Sequence, residues 1–227
     1  MKEFLHKIFG YLYKGSKGAA KSLFIFVIGL LLFLAIAEAI SKWNISSDYN
    51  GEVMRSRNEL HYYGLKDQLV DATDTYIQKV GKGSCLNAIT LIEACEEYNI
   101  DLKFALAQGH IESHFGTKGV ATKTNSVFNV MSFDGLSAEQ IIRSGKGYSH
   151  PDHSVVPYMK LLNEKYLVDK TEEDLFINFV NANGDRYASN KNYEKQLLDI
   201  YNKIDSISPG LSTIYQDFKK YKIILNR

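Results

Sequence analysis

Residues 23–37, LFIFVIGLLLFLAIA, are apolar without a break, and the pattern runs on past Glu38 to Ile40. A helix with no polar face has no side to turn to water, so such a stretch is covered by lipid or by protein. Its extent, 23–40, is close to the roughly 17 to 25 residues that a bilayer-spanning helix needs. In front of it stand Lys2, Lys7, Lys14, Lys17 and Lys21 against one acid, Glu3, so residues 1–22 carry 5 − 1 = +4. By the positive-inside rule that leader stays cytoplasmic and the chain after the run is exported. The expectation is one transmembrane helix or signal anchor at 23–40, single-pass in the cytoplasmic membrane, with the remaining chain in the periplasm or outside the cell. A cleaved signal peptide competes, because Ala35-Ile36-Ala37 and Ala37-Glu38-Ala39 both fit an A-x-A cleavage site.

The whole chain of 227 residues has a formal charge of +1, which leaves +1 − 4 = −3 for the body after the leader. That is no concentrated basic surface, so nucleic acid is excluded as a partner. Two cysteines without a CxxC pair make neither a disulfide scaffold nor a familiar zinc or redox motif. A helix from Ser84 would set Cys85 and Cys95 about 15 Å apart, too far to bridge, with Cys85, Ala88, Ile89, Ile92 and Cys95 on one buried face. No G-x-S-x-G elbow or GxxxxGK[ST] loop occurs, so serine-hydrolase and nucleotide chemistry have no support. No cofactor is expected.

The exported body reads as mainly helical. Residues 41–58, with SSDYNG, suggest a linker, and helical periodicity covers 60–80, 84–98 and 101–115, the last capped by Asp101 and stopped at Gly116. From Thr117 to Ser154 the composition turns to Gly, Ser, Thr, Asn and His, which predicts a small loop or short-strand lobe. Helices resume at 155–167 and at 171–182, where Thr171 and Asp174 make a capping box. A last clear helix at 190–204 would bury Tyr193, Leu197, Tyr201 and Ile204, and 206–227 forms a tail that ends in another short amphipathic stretch. The fold class is thus mainly α, a helical domain over 59–205 with a small loop/short-strand lobe, preceded by one membrane helix.

The segment DLKFALAQGHIESHFG, 101–116, is apolar nearly all round, as a helix in the middle of a domain is. It carries Glu112 near its C-terminal end, where desolvation and the helix dipole both disfavour the anion and raise the carboxyl's pKa. An acid so prepared is suited to giving up a proton at neutral pH. His110 and His114 share a helix face at i, i+4, but Glu112 lies about 200° round from His110, so the trio is no H-E-x-x-H zinc helix. The His150, Asp152 and His153 cluster reads as a polar turn or a sugar-contacting rim, and no metal site is expected.

Three pieces on this helix, Ala105-Leu106-Ala107-Gln108, Ile111-Glu112-Ser113 and Phe115-Gly116, are followed by Thr124-Asn125-Ser126-Val127-Phe128-Asn129-Val130. Together they resemble the glucosaminidase family, peptidoglycan-cleaving members of the lysozyme-like superfamily. Arg186 to Tyr193, RYASNKNY, is similar to that family's YAT-D-P-x-Y segment, and the likeness spans roughly 83–204 in the right order. It implies a lysozyme-like helical domain that cuts the β-1,4 bond after N-acetylglucosamine, with peptidoglycan glycan strands as partner. On the matching positions Glu112 is the catalytic acid and Tyr187 the tyrosine facing it. Asn125 and Phe128 would shape the groove, and Tyr148 and Tyr193 are further candidates for substrate contact. Asn129 departs from the family's usual Gly.

A second carboxylate is harder to place. Between Glu112 and Glu164 the only acids are Asp134, Glu139 and Asp152, and Glu139, the sole glutamate, is the candidate. A water-activating base would stand about 6.5 to 9.5 Å from the acid and a direct nucleophile about 5 to 5.5 Å, whereas a substrate's own 2-acetamido group needs neither. Both the Glu139 route and the substrate-assisted route stay open. So do a lytic transglycosylase working with the same acid and a non-catalytic wall-binding scaffold.

Overall fold

The computed structural model describes the backbone of residues 17–130, 137–145 and 147–225, and the side chains of that set except 17–26 and 43–50. The chain divides into two compact units, Met1–Asn58 and Glu59–Arg227. Helix α1 (Lys17–Val80) supplies all of the described first unit and opens the second. The residues expected as a linker, 41–58, are helical. In the first unit the large apolar side chains from Ile28 to Ile40 face solvent, Phe33 by 67%. Among the described residues no helix is long and apolar enough to cross a membrane. The expected span at 23–40 begins in residues whose side chains lie outside the described set, and residues 1–16 of the basic leader lie outside it altogether.

In the second unit, α1 buries Leu65, Leu69, Thr73, Tyr76 and Ile77, a stripe at three- and four-residue spacing. Helix α2 (Ala88–Tyr98) starts later than the expected Ser84, because Asn87 in extended conformation is its cap. Cys85 therefore sits in the preceding loop and is exposed, whereas Cys95 is buried, and both are free. The buried face of α2 is Ala88, Leu91, Ile92, Ala94 and Cys95, with Ile89 exposed, a correction to the face expected from a helix that began at Ser84.

Asp101 caps helix α3 (Leu102–Ser113) as expected, its Oδ1 accepting from the Phe104 amide at 3.1 Å. The helix buries Leu102, every residue from Phe104 to Gly109, and Ser113, which is why it forms the centre of the unit. It ends before the expected Phe115. His114 and Phe115 turn left-handed, at φ 48° and 57°, and the Phe115 amide returns to the Gly109 carbonyl at 3.0 Å.

The polar lobe contains two short helices, α4 (Ala121–Thr124) and α5 (Ala138–Arg143), the latter with a Ser137–Gln140 capping box. The expected short strands are not found among the described residues. The one β pairing there is an isolated bridge, Val180 to Arg186, and it lies outside the lobe. Gly, Asn and Ser give local turns, and the segment lacks the alternating apolar pattern a strand needs. Helix α6 (Val155–Leu161) follows a 3-10 turn and continues into a π turn, Leu162–Tyr166. Helix α7 (Glu172–Ile177) has the expected Thr171–Asp174 box, with the Thr171 amide on Asp174 Oδ2 at 2.8 Å.

Helix α8 (Tyr193–Ile207) packs along α3 and buries Tyr193, Leu197 and Ile204. The stretch expected as a tail forms α9 (Leu211–Leu225), whose Leu211, Tyr215 and Phe218 enter the core. The Leu102 amide at the start of α3 donates to the Tyr215 hydroxyl at 3.1 Å, and the Phe218 ring stacks on Tyr62 at 5.0 Å. Burying an aromatic or leucine side chain contributes about 1.5 to 3 kcal/mol, so α9 is part of what holds α3 in place.

Candidate active site

Glu112 lies on the last turn of α3, where protein surrounds its carboxyl while the residue keeps some access to solvent. Among the described residues two side chains reach it. The Tyr193 hydroxyl, at the first residue of α8, donates to Oε1 at 2.6 Å. The Asn129 amide donates to Oε2 at 3.3 Å and to the Glu112 backbone carbonyl at 2.8 Å. Burial pushes the Glu112 carboxyl above the ordinary carboxylate range, and these two donors offset only part of that rise. A carboxyl tuned this way keeps its proton at higher pH than an exposed glutamate.

The loop that carries Asn129 is tied down residue by residue. Ser113 Oγ donates to the Val127 carbonyl at 2.5 Å, and Ser154 Oγ accepts from the Val127 amide at 3.1 Å. Asn129 itself has φ 49°, in the left-handed region. Asn enters that region at modest cost, and glycine at none, so the departure from the family's usual residue keeps the backbone turn and adds an amide that touches the acid. Sequence reading marked Asn129 only as a departure. Its contact with Glu112 depends on the fold of the loop.

Tyr187 stacks on Phe179 at 4.6 Å, lies 5.8 Å from the Tyr193 ring, and donates its hydroxyl to the Phe128 carbonyl at 3.1 Å. Its loop is held to α8 by Arg186, which reaches both carboxylate oxygens of Glu194 at 2.8 Å, while Glu194 also accepts from the Phe179 amide at 3.2 Å. The pair thus aligns Tyr187 with Tyr193, and both phenols are held well above their ordinary pKa by burial.

The remaining candidates are distributed as follows. Phe128 is fully buried, stacked on Tyr158 at 3.7 Å with rings 7° from parallel, so its side chain faces the core. Asn125, at φ 54°, donates to the Tyr148 carbonyl at 2.9 Å and fastens the two ends of the lobe, while Tyr148 is partly buried. Glu139 is exposed on α5, paired with Lys123 at 3.0 Å. Hydrogen bonds at the helix start and the lysine pull its carboxyl down to about 2. Among the described residues no carboxylate shifts the Glu112 pKa. His110 Nδ1 stands 2.9 Å from the Tyr76 hydroxyl.

Of the two residues on the acid's hydrogen-bond path, Tyr158 stands out in the sequence as an aromatic for stacking on a sugar ring, while Gln108 does not stand out as a site residue. Gln108, fully buried one turn before Glu112, donates to the Tyr193 hydroxyl at 2.8 Å, and its Oε1 accepts from the Tyr158 hydroxyl. The signal available was a lone amide at i, i+4 from the acid on an otherwise apolar helix.

No curated protein matches the chain. The glucosaminidase family, described as mannosyl-glycoprotein endo-beta-N-acetylglucosaminidase, matches residues 88–206, from the first residue of α2 into the last turn of α8, and so takes in Glu112, Asn129, Tyr187 and Tyr193. With more than half of its length inside that match, the chain belongs to the glucosaminidase family of glycoside hydrolases.

Proposed function

We propose that the chain hydrolyses the β-1,4 bond after N-acetylglucosamine in peptidoglycan, with Glu112 as general acid. The observation that carries this reading is a carboxyl inside the family match whose burial outweighs its two hydrogen-bond donors, at the position that the motif resemblance gives to the acid. Protonated Glu112 gives its hydrogen to the glycosidic oxygen as the bond to the anomeric carbon breaks. The carboxylate left behind is met by donors already in place, the Tyr193 hydroxyl and the Asn129 amide.

The positive charge developing on the sugar is answered by the substrate. Its 2-acetamido oxygen attacks the anomeric carbon, and water then opens the resulting ring with Glu112 acting as base. Glu139, exposed and paired with Lys123, has surroundings unlike those of a tuned base, which favours this substrate-assisted route.

The body would work outside the cytoplasmic membrane, where the glycan strands lie. The basic leader before the apolar run supports that placement, and so do the solvent-facing apolar side chains from Ile28 to Ile40, which suit a cover of lipid.

The test is digestion of purified peptidoglycan followed by mass spectrometry. Reducing N-acetylglucosamine ends are expected from the wild-type chain, and none above background from Glu112→Gln. Cleavage by Glu112→Gln at the wild-type rate would discard the assignment, and 1,6-anhydro ends would make the enzyme a transglycosylase. Glycan stripped of its N-acetyl groups should be cut at least about 100-fold more slowly, since the internal nucleophile is gone. Equal rates would remove the substrate-assisted route.

A further inference from the structure

A carboxylic acid has two oxygens and one proton, and the residues behind Glu112 decide which oxygen bears it. The Tyr193 hydroxyl has a single hydrogen and gives it to Oε1 at 2.6 Å. Its oxygen accepts from Gln108 Nε2 at 2.8 Å, and Gln108 Oε1 accepts from the Tyr158 hydroxyl. Gln108 and Tyr158 are both 0% exposed, so bulk water takes none of these places.

The amide's orientation is fixed from both ends. An ionised Glu112 takes the only hydrogen of Tyr193, which leaves the phenol oxygen to accept and so demands the NH2 of Gln108. At the other end the Tyr158 hydroxyl, on a ring walled by Phe128, has the Gln108 carbonyl as its acceptor. Turned over, the amide would present its oxygen to Tyr193, competing with Glu112 for one hydrogen, and its NH2 to Tyr158, whose hydrogen would lose its acceptor. Bonds aligned in one direction also polarise each other.

We propose that Gln108 and Tyr158 are positioning residues for the acid, forming with Tyr193 a one-way hydrogen-bond relay that occupies Oε1 of Glu112 at 2.6 Å and leaves Oε2, met by the Asn129 amide only at 3.3 Å, to carry the proton delivered to the sugar. The role in delivery rests on the reading of Glu112 as general acid. The relay itself is a property of the carboxyl and is measured without turnover.

Among the described residues the titratable side chains that face Glu112 are phenols: Tyr193 from α8, Tyr187 from the loop before it, and Tyr158 from α6. Burial holds each well above the ordinary phenol range, so all stay neutral while Glu112 titrates.

The experiment follows the Glu112 side-chain carboxyl by 13C NMR across pH in the full chain, its signal assigned as the one lost in Glu112→Gln. Tyr158→Phe keeps the stacked ring and removes the hydroxyl, which frees the amide to turn and draw off the Tyr193 hydrogen. Proton affinity at Glu112 should then rise on the order of threefold, the effect of losing part of one hydrogen bond to the anion. Gln108→Met should shift it the same way, and Tyr193→Phe by more. Tyr158→Phe combined with Tyr193→Phe should titrate like Tyr193→Phe alone, because the relay acts only through that hydroxyl.

A Glu112 titration unmoved in Tyr158→Phe and Gln108→Met, even with a lowered Tm, overturns the proposal. So does a Tyr158→Phe effect that adds in full on top of Tyr193→Phe. A shifted titration in a chain whose Glu112→Gln variant still cleaves glycan would sink the general-acid reading and leave the relay standing. An unmoved titration where Glu112→Gln is dead does the reverse.

Discussion

Gly109 sits on α3 one turn before Glu112, and Gly109→Ala sets two effects of opposite sign against each other. In a helix interior alanine is favoured over glycine by about 1 kcal/mol. The added Cβ, however, would lie 2.6 Å from Phe115 Cε1, 2.8 Å from Cδ1 and 3.4 Å from Phe128 Cε1. Carbon atoms rest about 3.5 to 4.0 Å apart, so the first two contacts overlap by about 1 Å. Neither ring has room to yield, for both are 0% exposed, with Phe115 edge-on to Tyr76 at 5.9 Å and Phe128 stacked on Tyr158. Overpacking of this kind costs about 1 to 3 kcal/mol, and here the upper part of that range applies. The net is a loss of about 2 kcal/mol. At about 2 to 4 °C per kcal/mol for a domain of this size, the Tm of the helical unit should fall by about 4 to 8 °C. Circular dichroism melting of wild type beside the variant reads it. A Tm that is unchanged or raised would mean that helix propensity wins and that Phe115 is free to slide, refuting the close-approach role of the glycine.

Glu112→Gln should be more stable than wild type at pH 7, by a margin that shrinks towards pH 4. The folded carboxyl has a raised pKa, so its stabilising contribution is complete below the unfolded value of about 4.3 and is lost as pH rises towards the folded one. The Tm difference measured at both pH values checks this, and a margin that is flat or grows in acid contradicts it. Arg186→Met should destabilise by about 1 to 2 kcal/mol, less than a fully buried pair would lose because the guanidinium is 40% exposed. In a double-mutant cycle with Glu194→Gln the two losses should not add, and additivity would show that the pair does not clamp the Tyr187 loop to α8.

What the sequence made legible was local. The Asp101 cap and the Thr171–Asp174 box are short-range hydrogen bonds, and both are present. The apolar circumference of α3 announced a central helix. What escaped depends on distant partners. Ser84 and Asn87 are equally good caps in isolation, and the start of α2 is settled by Asp152, sixty-five residues on, which accepts from the Asn87 amide and side chain. Leu211, Tyr215 and Phe218 look like a tail until the Leu102 amide and the Tyr62 ring supply the surface they need. Phe128 read as a groove residue because its motif neighbours do. Left-handed turns at Asn125 and Asn129, on either side of it, accompany the inward aim of its ring. Gln108 stands at i, i+4 from Glu112 in plain view, but its acceptor role towards Tyr158 spans fifty residues.

The backbone after the acid carries strain that the rest of the unit must hold. His114 and Phe115 are consecutive non-glycine residues at positive φ, followed by Gly116 at 85°. Each of the first two costs on the order of 1 to 2 kcal/mol, and such conformations persist only where the surroundings over-determine them. Here they do. Ser84 Oγ donates to the Phe115 carbonyl at 2.7 Å, the Thr117 and Lys118 amides both return to the Ser113 carbonyl, and a Cβ on Gly81 would lie 2.1 Å from the His114 carbonyl oxygen. The helix therefore stops one residue past Glu112 with its end fixed from two sides, by the loop between α1 and α2 and by its own last turn. An acid on a frayed helix end would swing, and its two oxygens would exchange partners. Fixing the backbone at 113–116 is what lets Tyr193 and Asn129 each keep a different oxygen of one carboxyl.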